Sequence, residues 1–166
     1  MKTSRNKNWE LGLSAIIVIL TVVLMFAYYN RWFSFAATVG PFRIIHYIAW
    51  AGTLYIAFGV IVFSYLLHRN PQKYGSLLRL HTIGNLIAFL FISLHFAGQL
   101  GRPSNFYPQL GTGLALYIIM LLLVGTGLVL RFRRLSPRRN RFVHTGLALA
   151  FYITIIVHIL HGLNVI

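Results

Sequence analysis

Apolar residues in this chain form five long runs, and the polar residues sit in short links between them. One globular core does not produce that pattern; several membrane-spanning helices do. The runs predict helices at about 11–29, 44–67, 79–100, 109–131 and 142–164, each near the ~20 residues needed to cross the hydrocarbon. Chain breakers fill the links: Gly40-Pro41, Asn70-Pro71, Gly101-Arg102-Pro103 with Pro108, and Ser136-Pro137. No soluble domain and no low-complexity segment is left over, so the expected fold is an all-α integral membrane protein with five spans.

Composition sharpens this. Of 166 residues, 58% are hydrophobic and 10% charged, and the one acidic residue is Glu10. A soluble domain of this length needs a polar surface of mixed charge. The absence of cysteine excludes covalent c-type haem attachment, cysteine-ligated iron–sulfur clusters and disulfides within the chain. The first apolar run is too long for the core of a signal peptide, and no small-residue cleavage site follows it.

The net charge of +14 invites a nucleic-acid reading, but the basic residues lie between apolar runs and follow the positive-inside rule. Lys2, Arg5 and Lys7 precede the first run; Arg69, Lys73 and Arg79 lie around the second link; Arg131, Arg133, Arg134, Arg138, Arg139 and Arg141 fill the fourth. Those segments hold twelve basic residues, against Arg31, Arg43 and Arg102 in the others. The expectation is a cell-membrane protein with a cytoplasmic N-terminus and an outside C-terminus. Helices three and five then run in the same direction.

Helix three carries His81 and His95, and helix five carries His144 and His158, each pair fourteen residues apart. Fourteen residues make just under four turns, so each pair shares a helix face and spans about 21 Å along the axis. In parallel helices His81 and His144 lie at one depth, and His95 and His158 at another. Facing imidazoles at two depths suit two six-coordinate irons, each in a haem b held without a covalent bond. Closed axial positions let such an iron change oxidation state with little rearrangement, which suits electron transfer better than oxygen binding. Helix four repeats the interval: Gly111-Thr112-Gly113 and Gly125-Thr126-Gly127 are fourteen residues apart. Glycine removes the side chain where a group must approach the backbone, so these glycines are expected to clear space for the cofactor.

Together, His81–His95, Gly111/Gly113–Gly125/Gly127 and His144–His158 resemble the four-helix di-haem core of the cytochrome b superfamily, including ferric-reductase-like membrane domains. The resemblance covers about 44–164. It implies a four-helix di-haem bundle in helices two to five (44–166), preceded by an N-terminal helix and link (1–43). It also implies axial pairs His81 with His144 and His95 with His158. Departures are a pair of glycines, Gly52 and Gly59, only seven apart on helix two, and the lack of any quinol-site carboxylate motif or flavin and nicotinamide domain.

The resemblance implies an electron-transfer subunit of an oxidoreductase, set in membrane lipid, with other redox subunits and quinone or quinol as partners. Arg79 and Arg141 flank the inner histidines and Arg102 lies outside, placed to meet haem propionates. His161 competes with His158 for ligation. It lies about 100° from the His144 face, against about 40° for His158, so His158 is preferred. His46, Tyr107 and His161 are then candidates for proton exchange with a quinol at the outer surface, and His68, at the cytoplasmic end of helix two, is expected to cap or solvate that end. Two other readings are a histidine-based ion or proton transporter and a structural anchor. The first lacks a carboxylate inside the predicted spans; the second leaves the matched intervals unexplained.

Overall fold

The computed structural model describes residues 2–102, 110–133 and 137–162, with side chains described for 8–102, 110–133 and 138–162. Its elements are α1 (Lys2–Tyr29), β1 (Thr38–Val39), β2 (Phe42–Arg43), α2 (Ile44–Arg69), α3 (Tyr74–Leu100), α4 (Gly111–Phe132) and α5 (Pro137–Gly162). All five helices are long and apolar enough to cross a membrane, with candidate spans of 22 to 30 residues. The protein is all-α in that sense. Helices α3 and α5 begin at Tyr74 and Pro137, earlier than hydropathy predicts at 79 and 142. Hydropathy marks only the stretch that hydrocarbon can solvate, whereas the helical backbone continues through polar side chains. Proline at the first position of α5 needs no amide donor there.

The chain forms two compact units, Met1–Gly98 and Gln99–Ile166. The first unit includes α1 to the end region of α3, and the second includes α4 and α5.

Within the first unit, α1 is polar inside and apolar outside. Glu10, Ser14, Ile17 and Thr21 are buried along one stripe, while Ile16, Ile19, Val22, Val23 and Phe26 are exposed. That arrangement inverts a soluble helix and fits one whose outer face meets lipid. A Schellman motif ends α1: Trp32 N–H donates to the Ala27 carbonyl and Arg31 N–H to that of Tyr28. Arg31 takes the left-handed conformation, φ 61°, that glycine usually supplies. A two-residue hairpin loop follows, Gly40-Pro41, which joins β1 to β2 with Gly40 at φ 59°. The Tyr47 hydroxyl donates to the Val39 carbonyl at 2.7 Å and ties the hairpin to α2. No strand was expected in this link.

Close backbone approach holds α2 against α3. A Cβ on Gly52 would lie 2.9 Å from the Ala88 carbonyl oxygen, and one on Gly84 would fall on the Tyr55 hydroxyl. That hydroxyl donates to the Leu80 carbonyl at 3.1 Å.

The second unit is a helical hairpin in which α4 and α5 pack together antiparallel. Met120 and Phe151, both 2% exposed, fill its middle. Each lies seven residues from the chemistry-bearing positions of its helix: Gly113 and Gly127 on α4, His144 and His158 on α5.

Candidate functional site

Two equivalent stations lie along the second unit. At one, the Thr126 Oγ1 is 3.0 Å from Nδ1 of His144. A Cβ on Gly127 would stand 3.2 Å from the same ring's Cε1. At the other, the Thr112 Oγ1 is 3.1 Å from Nδ1 of His158, and a Cβ on Gly113 would stand 3.3 Å from its Cε1. Both imidazoles are part-buried. The fourteen-residue interval therefore joins whole stations of threonine, glycine and histidine, about 21 Å apart along the helices.

This divides the glycines expected to act together. Gly113 and Gly127 make room for imidazole rings. Gly111 and Gly125 are exposed, and a Cβ on either would meet nothing within 4 Å. Two residues along a helix turn the side chain by about 200°, so the members of each pair occupy nearly opposite faces.

In the first unit, the His81 ring lies 4.8 Å from the Phe63 ring at 30°. The Asn85 amide, one turn on, is 3.2 and 3.3 Å from its two ring nitrogens. His95 is part-buried, and its ring centroid lies 5.2 Å from that of His46. His46 itself donates from Nδ1 to the Arg43 carbonyl at 3.3 Å. The structure thus brings one outer-surface candidate directly onto a ligand candidate. His161 is exposed near the end of α5, His68 is exposed at the end of α2, and Tyr107 lies outside the described residues.

Of the three arginines expected near propionates, Arg141 and Arg102 are exposed. Arg79 has a partner within the chain: its Nε lies 3.7 Å from Glu10 Oε2, and its guanidinium lies 5.9 Å from the Trp9 ring centroid. Glu10 is fully buried and falls inside the candidate span Asn8–Tyr29. The expectation of spans free of carboxylates therefore needs correction. The predicted first span began at residue 11, just beyond Glu10, because the polar residues before it lower the local hydropathy.

Thr112, Thr126, Asn85 and the Glu10–Arg79 pair were not assigned roles from sequence. The threonines had a visible signal, since they share the interval of the histidines.

Among the described residues, no group of three or more His, Cys, Asp or Glu side chains could hold a metal ion. The second unit's donor set is compatible with haem b. Each α5 imidazole has Nδ1 against a threonine oxygen, which orients the ring and leaves Nε2 available to a ligand. Cysteine is absent, so no thioether could form. No family model, curated protein or solved structure matches the chain.

Proposed function

We propose that the chain is a membrane di-haem b cytochrome that carries electrons across the bilayer as a subunit of a larger redox complex. The observation that carries this reading is the duplicated station: threonine, glycine and histidine recur on α4 and α5 at the interval that separates His81 from His95 on α3. A lone intramembrane histidine has many structural explanations; a repeated, oriented one on helices of bilayer length has few.

Under this reading His81 with His144, and His95 with His158, supply the axial nitrogens. The haem, when bound, supplies reversible one-electron exchange at iron. The chain's own residues orient the imidazoles, exclude water along the Met120–Phe151 middle, and hold the two stations at different depths. Positive-inside charge places the N-terminus in the cytoplasm and His95, His158, His46 and His161 toward the outside. Quinol or another acceptor would exchange at that outer face, with His46 and His161 as proton-bearing groups. Glu10 removes one argument against a proton or ion transporter, but its pairing with Arg79 gives it a structural role.

Haem content decides the matter. A pyridine haemochrome assay should find two haem b per chain, released by acidified organic solvent. His81→Ala and His144→Ala should remove the same haem, and His95→Ala and His158→Ala the other. A content near zero in the wild type would overturn the reading. In liposomes with reductant on one side and an impermeant ferric acceptor on the other, loss of either pair should stop cross-membrane transfer.

A further inference from the structure

We propose that Thr112 and Thr126 are positioning residues that hold the α5 imidazoles as Nδ1–H tautomers and so present Nε2 to a ligand. The proposal deepens the di-haem reading and rests on it for the identity of that ligand.

A threonine hydroxyl has one proton and two lone pairs. At Thr126 the proton is already placed: Oγ1 lies 2.7 Å from the Leu122 carbonyl and 3.1 Å from that of Leu123, the back-bonding expected of threonine within a helix. What remains toward His144 is a lone pair, at 3.0 Å from Nδ1. Nδ1 must then carry the hydrogen. In a neutral imidazole, fixing the hydrogen on one nitrogen leaves the lone pair on the other.

The glycine completes the device. Without a Cβ at Gly127, the ring edge can lie close against α4, where the hydroxyl reaches Nδ1. Threonine's branched Cβ restricts the rotation of its hydroxyl, so the acceptor is held in place before any ligand arrives. Thr112, Gly113 and His158 repeat the contacts at 3.1 and 3.3 Å. The threonine–histidine and glycine–histidine contacts thus recur fourteen residues apart on one hairpin, and the role argued for Thr126 extends to Thr112 on that repeat. In the first unit the Asn85 amide nitrogen lies beside both ring nitrogens of His81 and selects neither.

The test uses the full chain, labelled with 15N-histidine and prepared haem-free from haem-deficient cells. Ring-nitrogen shifts should show His144 and His158 as Nδ1–H tautomers. Thr126→Val should mix the tautomers of His144 alone, Thr112→Val those of His158 alone, and Thr126→Ser should restore the wild-type signal. After loading with haem, each Val variant should release one haem about 10–100-fold faster, the usual effect of losing such an outer partner. Nε2–H tautomers in the wild type would overturn the proposal, as would Val variants with unchanged tautomers. The wild-type spectrum decides even if a Val variant does not fold. Haem stoichiometry is read separately: its absence would overturn the di-haem reading, while the ring-nitrogen signals still decide the role of the threonines.

Discussion

At the scale of single residues, glycine and threonine on α4 divide one task. Threonine sets which imidazole nitrogen is free, and glycine sets how near the ring can come. Gly127→Ala places a Cβ 3.2 Å from His144 Cε1, and Gly113→Ala one 3.3 Å from His158 Cε1. Each should displace its ring by a few tenths of an ångström; on the proposed di-haem reading, this is seen as faster haem loss at that station alone. Gly111→Ala and Gly125→Ala meet open space and should leave haem retention unchanged. Equal effects at all four positions would return the glycines to general helix packing. The sequence showed the shared interval but not this split, because spacing treats neighbours two residues apart as one feature. In the structure His144 and His158 both turn toward α4, and His161 is exposed.

At the scale of elements, backbone geometry decides where change is tolerated. Arg31 occupies a left-handed position at the end of α1, where a side chain costs about 1–2 kcal/mol that glycine avoids. Arg31→Gly should therefore stabilise the chain by about 1 kcal/mol, measured as resistance to unfolding in mixed detergent micelles. Gly52 offers the opposite case. A Cβ there would stand 2.9 Å from the Ala88 carbonyl oxygen, which belongs to backbone and cannot swing aside. Gly52→Ala should destabilise by about 1–3 kcal/mol, the range for overpacking, whereas Gly12→Ala, in open space, should not. The polar stripe of α1 adds a third case. Removing the fully buried Glu10 leaves Arg79 without its carboxylate. Arg79 is 38% exposed and can partly reach water, so Glu10→Ala should destabilise by about 1–3 kcal/mol, less than breaking a fully enclosed pair. An unchanged midpoint in the same unfolding assay would show that the pair contributes nothing measurable.

At the scale of the whole molecule, the charge distribution predicts how the chain threads the bilayer. A cysteine-free chain allows a clean test with single reporters. Ser34→Cys in the first link and Gln72→Cys in the second are both at exposed positions. An impermeant maleimide should label the first from outside intact cells and the second only after the membrane is opened. Labelling of both from one side would overturn the five-span threading. What the sequence determined by itself was the number of helices, their approximate bounds and the repeated fourteen-residue interval. Bilayer thickness and helical pitch set those quantities, and both act locally along the chain. What only the tertiary structure decided was which groups meet. Thr126 against His144, Gly84 beneath Tyr55, Glu10 against Arg79 and His46 against His95 join residues distant in the chain. Hydropathy carries no information on those meetings, because a lipid-facing surface and a buried apolar one look alike to it. They follow from close packing, where a missing Cβ or a single hydroxyl decides which helix faces approach.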